Sequence, residues 1–244
     1  MRVAILQPSY IPWRGYFDLI HRVDLFIFYD DVQYDKHGWR NRNQIKTPHG
    51  KQWLTIPVYS RGVLTRHIPI SQIRIVWKSP WNRNHWKTLQ QTYKKAPYFE
   101  TYIPLLEQFY SRHDELLADF TIDFTIALAR ILGITDTRFL RSSKLGIEGS
   151  QTSSKTERLI GMLQKVGAKH YITGPSAQAY IELEKFSAAG LVLEFMAYDY
   201  PTYSQLYPPY DPFVSVLDLL FMTGPDATQY IREDRTIRSG LALS

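Results

Sequence analysis

Two adjacent carboxylates, Asp30-Asp31, close an apolar run, and a basic segment, Lys36-His37-Gly38-Trp39-Arg40-Asn41-Arg42-Asn43, follows shortly after. A carboxylate pair at the end of a strand can hold a magnesium ion, a ribose hydroxyl or an amino group, and one member can act as general base. The competing reading is that one carboxylate caps the next turn. His37 is the third candidate for proton transfer. Arg40 and Arg42 flank Asn41, with Asn43 and Lys46 beyond, and guanidinium groups grip phosphate or carboxylate through paired N–H bonds. The alternative is a loop pinned to backbone carbonyls by its Asn and Arg side chains.

Upstream, a loop carries Gln7, Ser9, Tyr10, Trp13 and Arg14. Downstream, Ser154-Lys155 opens a helical pattern with Arg158 one turn in, and Gly174-Pro175-Ser176 opens another. Free backbone N–H groups at helix starts favour anions, so these small-residue starts suit phosphate oxygens, although the first lacks P-loop spacing and a plain capped helix explains it equally well. His85 shares a helical stripe with Trp81 and Leu89, which fits a satisfied core or pocket histidine better than a base. The histidines at 37, 49, 67 and 85 lack metal-ligand spacing.

What must position these groups is an α/β frame. Val3–Leu6 and Leu25–Tyr29 are short apolar runs, and Tyr16, Leu19 and Ile20 recur at helical spacing between them. That is a βαβ unit, whose strands end on one edge of a parallel sheet, where open α/β sheets bind ligands. A second unit is expected from a strand at His170–Thr173, a helix to Ala188 and a strand at Leu191–Phe195. A short strand at Thr137–Arg141 precedes a helix over Glu157–Val166. Residues 35–50 read as a polar loop, and 51–76 as an edge hairpin appended to the parallel sheet. Helices are expected from Pro80 to Gly133. Residues 199–212, rich in Tyr and Pro, read as an aromatic loop covering something, followed by a helix to Thr223. The expectation is a Rossmann-like parallel sheet with helices on both faces, an edge hairpin and a mostly helical middle segment, forming a single domain over 1–232. A frayed tail over 233–244 completes the chain.

Composition narrows the chemistry. The chain has 244 residues and no cysteine, so thiolate metal sites and thioester intermediates are excluded. Its start has too short an apolar run for a signal peptide, and a cytoplasmic location is expected. The net charge of +6 is unevenly spread: residues 36–99 hold seven Lys and six Arg without one acid. All six Trp fall within the first 86 residues. Aromatics among cations suit a stacked base beside a phosphate.

Several long motifs carry a resemblance: QPSYIPWRGYFDLI at 7–20, DDVQY at 30–34, WRNRNQIK at 39–46, HYITGPSA at 170–177 and SVLDLLFMTGP at 215–225. Through them the chain resembles the WbqC-like protein family from about residue 2 to residue 230. The resemblance implies a role in bacterial surface-polysaccharide (O-antigen type) biosynthesis, with acyl or aminoacyl transfer to an amino sugar as the suggested activity. A more distant likeness is to the HIGH-signature nucleotidylyltransferases. Those place a His where this chain has Tyr16, and Trp13 stands at the preceding position, which puts ordinary nucleotidyl transfer in doubt and leaves nucleotide binding standing.

Two function classes remain. One is a transferase-type enzyme holding a nucleotide or nucleotide-sugar, ATP with magnesium among the options, the metal falling to Asp30 and Asp31. The other is a non-catalytic module gripping nucleic acid or an acidic glycan through the 36–99 window. Paired carboxylates beside the arginines would repel a long polyanion and favour the enzyme.

Overall fold

The computed structural model describes residues 1–147 and 154–231. Its centre is a five-stranded, all-parallel sheet of β1 (Arg2–Leu6), β2 (Leu25–Phe28), β5 (Arg138–Arg141), β6 (His170–Thr173) and β7 (Val192–Phe195), in the order β5-β2-β1-β6-β7. Chain order reverses between β1 and β6. Numbered within the sheet alone, the order is 3-2-1-4-5, the arrangement of a Rossmann-like half-sheet and its neighbours.

The central strands β1 and β2 are apolar on both sides because both faces are covered there. Val3, Ile5, Leu25 and Ile27 point to one face and pack with Leu159, Met162 and Leu163 of α5 (Lys155–Lys165) and Phe186 of α6 (Leu183–Ala188). Ala4, Phe26 and Phe28 point to the other. They pack with Phe17, Leu19 and Ile20 of α1 (Arg14–His21), and this core runs on through α2 (Trp81–Tyr93), α3 (Phe99–Tyr110), α4 (Leu117–Ile131) and α7 (Val216–Thr223). Each fully buried Phe contributes about 1.5–3 kcal/mol, and aromatic contacts such as Phe109 on Phe124, 4.3 Å apart and nearly coplanar, add geometric specificity.

The antiparallel hairpin departs from the sequence reading. Its strands are β3 (Arg42–Thr47) and β4 (Gly50–Thr55), and they form their own two-stranded sheet rather than an edge of the parallel one. Residues 67–76 contain a 3-10 turn at Ile70–Gln72 and isolated bridges instead of a strand. The polar RNQIKT run looked like loop because, of its inward side chains Asn43 and Ile45, only Ile45 is apolar. Asn43 is nonetheless buried, since it satisfies backbone carbonyls of a neighbouring loop.

Ser176 and its neighbours form a 3-10 turn, Pro175–Ala179, with α6 starting only at Leu183. The 233–244 tail lies outside the described residues, as do positions 148–151 of a glycine-bearing loop expected over 145–151. No described helix is long and apolar enough to cross a membrane.

Candidate functional site

A cavity of about 360 Å³ opens where β1 and β6 diverge at their C-terminal ends. Ile5 and Leu6 of β1 and Thr173 and Gly174 at the end of β6 form its floor. This is the reversal point of the sheet, where two loops leave in opposite directions and a crevice is unavoidable. The volume suits a small molecule.

One wall is the loop after β1. Its turn is strained, with Ile11 at φ +37°, a backbone region costly for a β-branched side chain. Hydrogen bonds hold it there: Asn43 Nδ2 donates to the carbonyls of Ile11 (2.9 Å) and Tyr10 (3.1 Å), Tyr10 N–H donates to Trp39 O, and Val216 N–H donates to Pro12 O. The result aims Ser9, Pro12 and Trp13 at the cavity. Gly15 is required by contact, since a Cβ there would lie 2.3 Å from the Trp13 indole.

Arg40 is the cavity's one lining charge. Its Nε is enclosed and without a hydrogen-bond partner, and no described residue forms an ion pair with it. Burial pulls its pKa below the ordinary arginine value, against the opposing influence of Tyr16, Asp35 and Tyr34. Tyr16 also lines the cavity and donates to Gln7 O at 3.0 Å. Burial pushes its phenol pKa well up, with Arg40 pulling the other way, so it stays neutral.

The rim is aromatic. Phe213 is 60% exposed, Tyr180 45%, Trp39 44% and Tyr198 37%, and all four line the cavity. The other exposed aromatics among the described residues are Trp53, which packs on Trp39, and Tyr59. Concentrating exposed rings at one opening is costly in water and marks a binding mouth. Tyr198 and Phe213 both pack against Trp13, with ring centroids 4.9 and 5.9 Å away. The Tyr198 hydroxyl lies over Gly174, where a Cβ would approach it to 2.8 Å.

Of the sequence candidates, the cavity gathers Ser9, Trp13, Trp39, Arg40, Asn43, Gly174 and Ser176. A second group lies beside it. Lys155 stands over the ring of cavity-lining Tyr180 at 5.6 Å, and Arg158 pairs with Asp31 (2.9 Å) while stacking on Tyr29. Ser154 is an N-cap, trading hydrogen bonds with Glu157 in a capping box. Asp30 is wholly enclosed. Its Oδ1 accepts from Ser143 N–H (3.0 Å), its Oδ2 from Ser143 Oγ (2.9 Å), and Ser142 Oγ lies 3.2 Å from Oδ1 and 2.6 Å from Asp31 Oδ1. Such a saturated pair does not fit a magnesium ion, and among the described residues no group of three or more His, Asp or Glu could hold a metal.

Other candidates have structural tasks instead. Arg14 donates to Pro201 O (2.8 Å) and Tyr230 O and stacks on Tyr200, so it ties down the C-terminal segment. Lys46 is buried and donates to Pro209 O. Asn41 Nδ2 bonds Ile56 O, bracing the hairpin. Tyr10 and His85 are core: the Tyr10 hydroxyl lies 2.9 Å from His85 Nδ1 and 2.6 Å from the Tyr110 hydroxyl. Burial pushes the His85 pKa down to about 4, with a backbone bond at Thr55 opposing. His37 is exposed at the turn capped by Asp35. Arg42 donates to His37 O and stacks on Trp53 at 4.6 Å, outside the cavity. Gln7 contributes its carbonyl to Tyr16, and its side chain is not part of the lining.

Tyr16, Thr173, Tyr180, Tyr198 and Phe213 were not among the sequence candidates. The Tyr- and Pro-rich stretch at 199–212 pointed to the last two, which flank it. Comparison with known proteins adds a family and a relative. The sequence profile of the WbqC-like protein family matches residues 7–230. A Mycobacterium tuberculosis protein, named only as uncharacterized protein Rv1507c, is 39% identical over 233 residues, covering 95% of this chain and 97% of the relative. No solved structure matches. With agreement from the strained loop through to the last helix, the chain belongs to the WbqC-like protein family.

Proposed function

We propose that the cavity binds a nucleotide or nucleotide-linked sugar, and that the protein is a transferase-type enzyme of bacterial surface-polysaccharide biosynthesis, moving an acyl or aminoacyl group to an amino sugar. The observation that carries the binding half is the unpaired Arg40 guanidinium among aromatic walls. A partly enclosed cation that makes no ion pair, with Asp35 acting on it only from a distance, is suited to an incoming phosphate, and Trp13, Trp39 and Phe213 offer ring faces for a base or sugar. Lys155, over the ring of cavity-lining Tyr180, supplies further positive charge at the adjoining rim, while Arg158 is already paired with Asp31. Asp31 is kept as the candidate base in preference to Asp30, since its side chain retains 22% exposure while Asp30 is sealed. The family's name supports the polysaccharide setting.

The alternative, a module gripping a polyanion through residues 36–99, has less support. Four of the thirteen cations of that window are engaged internally: Arg74 pairs with Glu115, Lys51 with Asp211, and Lys46 and Arg42 bond backbone carbonyls. The test is a thermal-shift screen of nucleoside mono- and diphosphates and sugar nucleotides, followed by calorimetry. A ligand whose stabilising effect is lost in Arg40→Met supports the reading. If no compound in the screen raises Tm at millimolar concentration, or if a mixed oligonucleotide binds more tightly with a steep salt dependence, the reading fails.

A further inference from the structure

Trp39 and Trp53 form a shelf that continues the cavity onto the outer face of the hairpin. Their ring centroids are 5.2 Å apart with planes inclined at 35°, and both rings keep about two fifths of their surface exposed. Trp39 belongs to the cavity lining, while Trp53, opposite Gln44 on β4, stands outside it. Arg42, diagonal to Trp53 across the strand pair, stacks on its ring and is fixed by the His37 carbonyl. The rings are therefore held in place rather than free to collapse. A buried packing role does not fully explain them, because each keeps about two fifths of its surface open to solvent.

Ring faces at this spacing could take nucleobases or the C–H faces of pyranose sugars. The charges decide between them. The hairpin strands contain three cations, Arg42, Lys46 and Lys51, and each is engaged, with His37 O, Pro209 O and Asp211 respectively. Beyond Arg40 at the cavity end, a nucleic acid strand along the hairpin would find rings whose strand cations are already engaged, whereas a neutral saccharide needs rings and little charge. Resting on the reading of the cavity as a nucleotide or nucleotide-sugar site, we propose that the Trp39–Trp53 shelf is the subsite for a neutral saccharide portion of the sugar-bearing partner in the transfer. It lies end to end with the phosphate held by Arg40.

The test uses the full chain with ¹⁵N-labelled tryptophan, so that six indole N–H signals report the six Trp. Chitotriose, maltotriose and mannotriose are titrated separately, and the ligand found in the nucleotide screen forms a parallel series. At least one trisaccharide should shift the Trp39 and Trp53 indoles. Its affinity should fall tenfold or more in Trp53→Ala and be largely restored in Trp53→Tyr, which keeps a ring. Arg40→Met should leave that titration within twofold of the parent. The cavity ligand should show the converse, losing affinity in Arg40→Met and keeping it in Trp53→Ala. If none of the trisaccharides moves the two indoles, the shelf proposal is overturned, whatever the Arg40 series shows. It is likewise overturned if sedimentation equilibrium gives a dimer that Trp53→Ala dissociates, since the shelf is then an interface between copies. Binding of an octathymidylate at the same indoles, tighter than any trisaccharide, also overturns it. A cavity series insensitive to Arg40→Met refutes the nucleotide reading instead, so the two failures are distinguishable.

Discussion

Replacing Arg40 by Met separates a binding role from a structural one, because the two predict opposite signs. The guanidinium has an enclosed Nε with no acceptor and no carboxylate partner. An unmet buried donor costs about 1–3 kcal/mol, so a methionine of similar length should leave the ligand-free protein as stable as before or more stable by about 1 kcal/mol. For a chain of this size that is an upward shift in Tm of about 2–4 °C. Ligand binding should move the other way. A charge-assisted hydrogen bond contributes about 1.5–3 kcal/mol, and each 1.4 kcal/mol is about tenfold, so the affinity for a phosphorylated ligand should drop by about 10- to 150-fold. At a ligand concentration about a hundred times Kd, the parent gains about 2.7 kcal/mol, and the variant should lose about half to nine-tenths of that. Differential scanning calorimetry with and without ligand measures both quantities in one series. A variant that is destabilised by more than about 2 kcal/mol when empty, or that keeps the full ligand-induced shift, refutes the assignment of Arg40 as an anion-binding group.

Phe213→Ala should change stability by no more than about 0.5 kcal/mol, as expected at an exposed position, yet weaken the cavity ligand several-fold by calorimetry. Gly15→Ala, a change that ordinarily stabilises a helix interior by about 0.5–1 kcal/mol, should here destabilise by about 1–3 kcal/mol, because the new methyl overlaps the Trp13 indole; denaturant unfolding gives the sign. Asp30→Asn should cost about 2–4 kcal/mol, since it disturbs a sealed carboxylate with three donors around it, whereas Asp31→Asn should cost less. Acidification should act through His85, whose pKa falls from 6.5 unfolded to about 4 folded. Its contribution to stability is complete above about pH 6.5 and is lost as pH falls towards 4, about 3 kcal/mol in all. Stability profiles of the parent and of His85→Gln should diverge in that window, and parallel profiles would count against a neutral, buried imidazole.

Much of the parallel sheet was legible because its signal is local. Val3–Leu6, Leu25–Phe28 and His170–Thr173 are short apolar runs bounded by breakers, and two-sided burial in a parallel sheet makes such runs continuous. The position of the hairpin was not legible. Strand β3 has a polar inward residue whose partners, the carbonyls of Tyr10 and Ile11, are more than thirty positions away in the chain. Charge was misleading for the same reason. An acid-free window from 36 to 99 looked like a free positive surface, yet the carboxylates that neutralise part of it, Glu115 and Asp211, come from later segments. Arg40 and Arg42 are two residues apart and indistinguishable by type. Only the fold shows one lining the cavity and the other stacked on Trp53.

Four buried ionic groups that do not line the cavity, Arg14, Asp18, Lys46 and Asp218, share one task. Residues 196–215 contain no helix or strand, yet they supply Tyr198 and Phe213 to the mouth. A segment without a backbone ladder must have its polar groups met by side chains, and here they are. Arg14 takes Pro201 O, Tyr200 donates to Asp18, and Lys46 takes Pro209 O. Tyr203 and Gln205 both donate to Asp218. Burial raises the Asp218 pKa, and the bonds from Tyr203, Tyr93 and Gln205 draw it back down. Breaking any one anchor would therefore loosen the aromatic wall before it unfolds the sheet, and weaken ligand binding at sites that never touch the ligand. That is why residues such as Arg14 and Lys46 carry the chemical appearance of a binding site without lining it: their ligand is the protein's own C-terminal segment, held rigid so that the cavity exists before anything enters it.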